Sequence, residues 1–412
     1  MRPRPATAAA AAALLLQLAA LARASPNSDV AVNVLLTDYV EPFGARSLDG
    51  SPYEIWVSRS PTGSPNWVLD IMGGAWCGDL GSCESRAYSP TGCFLGSSNA
   101  SCFNADSERC ADKAPAMQFS CLPACNGARW CGGLMTNSSS TNPLTHDWNK
   151  ALLPYKDGGS FAGDNDTVTM TPSGPLYFRG HRNLLAAIDY LTRVEGMGAA
   201  GSEVLLTGNS AGGLATYFHA DELAALLPQA RVTAAPDSGF FYASDPGFPS
   251  WRQELLNIVG FMNATRGLDA SCVAAVRAAG GDPATCAWPE VLAPHVSTPL
   301  FVMNGRFDPA LDSISAGENE SNATHVREIG QRFLGLVNDT VLQPAGARNA
   351  AFITSCAQHC GQWSQGTDGD FDVVIDGDKA IDAMLKWRAG SRTLWVQEHD
   401  FPCTDCCSGG NA

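Results

Sequence analysis

Residues Leu205 to Asp221 read LLTGNSAGGLATYFHAD, an apolar run that turns through Gly208, Asn209 and Ser210 and continues at once as a helix. With no loop between the halves, the chain has to reverse from strand to helix within a couple of residues. Gly208-Asn209-Ser210-Ala211-Gly212 fits G-x-S-x-G, the turn in which a serine sits strained between strand and helix with its hydroxyl exposed. Glycines two residues to either side are needed because strand and helix backbones pass too close for a side chain. The helix N-terminus beneath the serine favours negative charge developing nearby. The plain alternative is a glycine-rich turn whose serine caps the helix.

The rest of the chain suits that setting. Trp67–Ile71 is an apolar run halting at Gly73-Gly74, and Leu300–Met303 is another, introduced by Pro299 and ending at Asn304-Gly305. Arg179–Val194 has helical spacing, with Leu184, Leu185, Ile188 and Leu191 on one face, and Val326–Val337 is helical again. Asp378 is placed to N-cap a last helix through Trp387. Short buried strands alternating with helices predict an α/β fold with a mostly parallel sheet. Residues 77–131 hold eight cysteines and little periodicity, so they read as a long insertion held by disulfides. With 45% hydrophobic residues, no internal repeat and no linker, one domain over 25–412 is expected.

A serine nucleophile needs a base, and the base an orienting acid. In α/β-hydrolases they follow in the order Ser, Asp or Glu, His, each after a strand. Asp308, in NGRFDPALDS just past the 300–303 strand, fits the acid, with Asp312 its near competitor; the bland reading of either is a turn carboxylate. Three histidines follow: His325, His359 and His399. His359 lies after an apolar run between Cys356 and Cys360, whose disulfides would hold its loop still; His325 starts a polar helix beside a sequon and His399 lies in a charged tail. An oxyanion hole needs backbone N–H groups, one from Ala211 and others from the loop MGGAWC, where Gly73, Gly74 and Ala75 let the backbone approach a substrate. The bland reading of that loop is a tight turn after an edge strand.

The compartment follows from other features. Arg2 and Arg4 lead into an Ala/Leu run ending Ala22-Arg23-Ala24, the pattern of a secretory signal peptide over 1–24. Fifteen cysteines and seven sequons, at Asn99, Asn137, Asn165, Asn263, Asn319, Asn322 and Asn338, fit a glycosylated protein, secreted to the extracellular space or cell wall. Fifteen is odd, so at least one thiol is free or pairs between chains. Cys121-x3-Cys125 and Cys403-x2-Cys406 are read as disulfides rather than metal sites, and DGDFDVVIDGD (368–378) as a solvated turn, since Val373 replaces the glycine of a calcium loop. No later run is long enough to span a bilayer. Net charge is −15, near −18 once the leader's three arginines are removed, which disfavours nucleic acid and anionic membranes as partners. An anionic glycan would need a local basic patch, for which Arg86, Arg109, Lys113 and Arg129 are candidates.

GGAWC, GNSAGGLA, DSGFF (237–241), FDPALD, SCAQHC and the tail PCTDCC occur in the order seen in the pectin acetylesterase/Notum family of carboxylesterases, which this chain resembles from about Val32 to Cys407. The resemblance implies an α/β-hydrolase-like fold, catalysis by Ser210, Asp308 and His359, oxyanion donors at Gly74, Ala75 and Ala211, and Trp76 and Asn209 near the substrate pocket. Plant members remove acetyl groups from pectin and animal Notum removes a palmitoleoyl group from Wnt proteins. Met72 stands where the family usually has glutamate, and Ala75 where plant members have a third glycine. The expectation is a secreted monomeric serine carboxylesterase, needing no metal or cofactor, that removes O-acetyl groups from a polysaccharide. The rivals are release of a fatty acyl group from a protein, and an inactive secreted binding module.

Overall fold

The computed structural model describes residues 30–90, 93–98, 117–118, 133–243, 250–311, 323–344, 348–361, 373–403 and 406–407. The leader, Asn99, Asn319, Asn322, Arg109, Lys113, Arg129 and Asp312 lie outside them.

Among the described residues twelve strands are formed: β1 (Val30–Leu35), β2 (Glu54–Ser58), β3 (Trp67–Ile71), β4 (Met117–Gln118), β5 (Asn149–Leu153), β6 (Thr169–Met170), β7 (Pro175–Leu176), β8 (Glu203–Asn209), β9 (Arg231–Asp237), β10 (Phe301–Gly305), β11 (Ala350–Thr354) and β12 (Leu394–Val396). Ten of them make one sheet in the order β12-β11-β10-β9-β8-β3-β5-β2-β1-β4, while β6 and β7 form a separate ribbon. From β12 to β5 all pairings are parallel. Beyond β5 the sheet continues antiparallel through β2, β1 and β4.

Parallel strands are covered on both faces, which is why their sequences are apolar without alternation. In β3 all five residues are buried: Trp67, Leu69 and Ile71 join one core, Val68 the other. The first core takes helices α2 (Gly180–Arg193), α3 (Ala211–Leu226), α4 (Ser250–Phe261) and α5 (Ala323–Val337). The second takes α6 (Ala380–Arg388), with Ile381, Met384 and Trp387 against Phe301 and Phe352. Helix α3 is the central one, and every residue from Ala211 to Ala220 is buried.

Three expectations are corrected, the last in part. The insertion is not all loop: α1 (Leu80–Tyr88) forms within it, because the Asp79 side chain accepts from Ser82 N while Ser82 Oγ reaches back to Asp79 N. That reciprocal pair satisfies two otherwise unpaired donors at a helix start. Asp378 does not cap α6; Lys379 holds that position, and Asp378 accepts from Trp395 Nε1 and Lys386 Nζ. The 373–378 stretch is solvated only in part: Asp376 and Gly377 are exposed, while Val373, Ile375 and Asp378 are buried.

Candidate active site

Ser210 stands between β8 and α3 with φ 55° and ψ −125°, a backbone setting that non-glycine residues rarely adopt. The flanking glycines make it possible. A Cβ on Gly208 would lie 2.5 Å from the Gly212 carbonyl and 2.6 Å from that of Ile71, and one on Gly212 would lie 2.0 Å from the Ile71 carbonyl. The elbow is therefore wedged against the end of β3 as well as folded on itself. Ser210 N donates to the Asp237 carbonyl at 2.9 Å. Its hydroxyl makes no capping bond to the helix, which removes the reading of Ser210 as an N-cap.

The hydroxyl lies 2.7 Å from His359 Nε2 instead. His359 Nδ1 lies 2.9 and 2.8 Å from the two carboxylate oxygens of Asp308. Asp308 is buried beyond β10, where it also accepts from Ala310 N at 2.8 Å and faces Asn304 Nδ2 at 3.3 Å. A carboxylate only accepts, so it fixes the Nδ1–H tautomer and leaves the Nε2 lone pair toward Ser210. Burial pushes the His359 pKa down, but the Asp308 charge and hydrogen bond outweigh it and hold the imidazolium well above its ordinary 6.5.

Cys356 pairs with Cys407, tying the start of the His359 loop to the C-terminal tail. The other expected disulfide is absent: Cys360 is a free thiol. What holds that end of the loop is a polar clamp. Cys360 N donates to Ser238 Oγ at 2.8 Å and Gly361 N to Asp237 Oδ2 at 2.9 Å, while Ser238 Oγ donates to Asp237 Oδ1 at 3.1 Å. Asp237 and Ser238 received no role from the residues themselves. The available signal was a polar pair closing the β9 run, at the C-terminal ends of the parallel strands where the site assembles.

The glycine-rich loop leans on the elbow. A Cβ on Gly73 would lie 2.1 Å from the Asn209 carbonyl, and Gly73 N donates to Asn209 Oδ1 at 3.3 Å. Asn209 Nδ2 faces Cys360 Sγ at 3.6 Å, so this amide bridges the glycine loop and the His359 loop. Ala75 has φ 53°, the left-handed setting that a glycine would adopt without strain. Among the described residues, the N–H groups of Gly74, Ala75 and Ala211 are paired with no protein acceptor. Trp76 donates its indole N–H to Ser160 Oγ at 2.7 Å, and Ser160 Oγ donates to the Ala211 carbonyl at 2.8 Å. The Trp76 ring meets Phe241 edge-on at 4.7 Å, and Phe241 lies 5.9 Å from the His359 ring, so aromatic surface borders the serine.

Arg86, a candidate for steering anionic substrate, faces inward. Its Nη2 donates to the carbonyls of Gly74 at 2.8 Å and Trp76 at 3.2 Å, and its guanidinium lies over Tyr155. It braces the glycine loop. Of the described sequon asparagines, Asn263 and Asn338 are exposed; Asn165 Nδ2 donates to the Phe261 carbonyl and Asn137 Oδ1 accepts from Lys150 Nζ. No helix of the described residues is long and apolar enough to cross a membrane.

Comparison with known proteins gives the family and the fold. The family model described as Pectinacetylesterase matches residues 25–102 and 100–408. Pectin acetylesterase 5 of Arabidopsis thaliana is 31% identical over 401 residues, covering 92% of this chain and 86% of its own. Pectin acetylesterase 11 of the same plant is 29% identical, covering 89% of this chain and 88% of its own. The palmitoleoyl-protein carboxylesterase NOTUM of Drosophila melanogaster is 24% identical over 93% of this chain but 55% of its own. A solved structure of the Wnt deacylase Notum from Drosophila superposes with TM-score 0.71 at 22% identity, covering 92% of this chain and 99% of that one, which establishes the shared fold.

Proposed function

Because this chain belongs to the pectinacetylesterase family and is a carboxylic ester hydrolase, we propose that it is a secreted serine esterase that removes O-acetyl groups from a cell-wall polysaccharide such as pectin. One carboxylesterase domain over 25–412 follows a cleaved leader over 1–24. The reading rests on one observation: Ser210 Oγ lies 2.7 Å from His359 Nε2, whose other ring nitrogen is held by buried Asp308.

In this mechanism His359 takes the Ser210 proton as Oγ attacks the ester carbonyl. The tetrahedral oxyanion is met by the N–H groups of Ala211, Gly74 and Ala75, at the positive end of α3. His359 then protonates the departing sugar oxygen as the acyl C–O bond breaks, leaving the acetyl group on Ser210. Water, activated by the same imidazole, attacks the acyl-enzyme, and acetate leaves. Asp308 keeps the Nδ1–H tautomer and stabilises the imidazolium between the two proton transfers. Trp76 and Phe241 form the wall beside the acyl group.

Acetylated polysaccharide is favoured over an acylated protein because the plant relatives align over most of their own length, whereas the NOTUM carboxylesterase aligns over 55% of its own. The test is acetate release from acetylated pectin and acetylated xylan, run beside p-nitrophenyl acetate and octanoate. Preferential acetate release from either glycan supports the reading. Octanoate preferred over acetate, with no release from either glycan, overturns it in favour of a lipid-ester substrate.

A further inference from the structure

Away from Ser210, helices α2 and α3 bring together a group that the esterase chemistry does not use. His181 on α2 places Nε2 at 2.8 and 3.0 Å from the two Glu222 carboxylate oxygens. His219, three residues before Glu222 on α3, places Nδ1 at 3.3 Å from Glu222 Oε2. The two imidazole rings stack with centroids 5.8 Å apart and an interplanar angle of 11°. The three ligating atoms all lie within 4.8 Å of one another. The His219 side chain is 1% exposed, His181 10% and Glu222 33%, so the group is walled on the protein side and open along the glutamate.

Hydrogen bonding alone leaves this cluster unbalanced. Among the described residues, buried His219 Nε2 has no hydrogen-bond partner. With the proton on Nδ1, toward Glu222, the neutral ring leaves a bare, buried lone pair on Nε2; with the proton on Nε2, the Nδ1 lone pair faces a carboxylate oxygen, acceptor against acceptor. A metal ion set among Nδ1 of His219, Nε2 of His181 and the Glu222 carboxylate would take both imidazole lone pairs and the carboxylate charge together.

We propose that His181, His219 and Glu222 form a structural site for a divalent transition-metal ion of the zinc class, bracing the helix that carries Ser210. Two imidazoles and one carboxylate suit such an ion, which binds these donors at about 2.0–2.2 Å. The site lies eight residues along α3 from Ala211, about 12 Å at the rise of an α-helix, too far to take part in acyl transfer.

The test uses the full-length secreted chain, stripped with chelator and titrated with Zn2+ by calorimetry and with Co2+ by visible absorption. The account expects one Zn2+ per chain, a tetrahedral Co2+ spectrum, and a higher thermal midpoint with Zn2+ than with chelator. His181→Gln and Glu222→Gln change the more accessible ligands, so both are expected to fold; each should weaken Zn2+ by at least about tenfold and abolish the Co2+ spectrum. Absence of stoichiometric binding, or binding that survives both substitutions and so belongs to other residues, overturns the proposal.

Discussion

At the scale of single residues, His359 and Arg86 make the most direct predictions. His359 has to be neutral to accept the Ser210 proton, and Asp308 stabilises its charged form. Activity is therefore lost as pH falls through a raised pKa: kcat/KM should titrate with a midpoint above 6.5. Asp308→Asn should lower that midpoint and cut kcat by about 10^4; a midpoint at or below the ordinary value in the parent enzyme would contradict the arrangement. Arg86 was legible in the sequence only as a positive charge in a basic stretch. Its two bonds to the glycine-loop carbonyls depend on tertiary geometry that no local pattern encodes. Arg86→Met should reduce kcat/KM about tenfold to a hundredfold, the cost of charge-assisted hydrogen bonds. The loss should hold for neutral p-nitrophenyl acetate as well as for pectin. A loss confined to pectin would restore the steering role.

At the scale of elements, the readable parts were those whose local chemistry is unambiguous. Strand β3 and the strand ending at Gly305 are short apolar runs closed by glycine, and the elbow motif fixes its own strand and helix. Ser210, Asp308 and His359, which the fold brings together, could be nominated because each follows a short apolar run. Two elements were hidden. Helix α1 is nine residues long with two buried, so its periodicity is weak, and a capping box starts it. The β9 end was hidden because Asp237 and Ser238 act across the sheet on a loop more than a hundred residues later. The elbow also carries an element-scale prediction. In Gly212→Ala the new methyl would stand 2.0 Å from the Ile71 carbonyl. Helix α3 and strand β3 must then part, destabilising the protein by about 1–3 kcal/mol. Chemical denaturation and esterase assay should fall together; an unchanged variant would mean that the close packing of elbow and β3 is not required.

Over the whole molecule, the site is assembled from segments 149 residues apart in the chain, and the disulfides keep its outer loops in place. The Cys356–Cys407 bridge spans 51 residues and joins the His359 loop to the tail. Replacing both cysteines with serine should lower unfolding stability by about 2–4 kcal/mol, read by denaturant titration; an unchanged midpoint would show that the Asp237 clamp alone suffices. Parallel order and two-sided burial were predictable from the apolar runs. The antiparallel extension through β2, β1 and β4 was not, since these strands carry mixed polarity and two of their pairings are long-range. The central claim is that this folding brings one serine hydroxyl under the control of one imidazole. Labelling with a fluorophosphonate, followed by peptide mass spectrometry, tests it most directly. The account predicts a single adduct on Ser210, absent in Ser210→Ala, which also loses ester hydrolysis, and slowed by orders of magnitude in His359→Ala. An adduct on another residue, or a Ser210→Ala protein that still releases acetate at the parent rate, would contradict it.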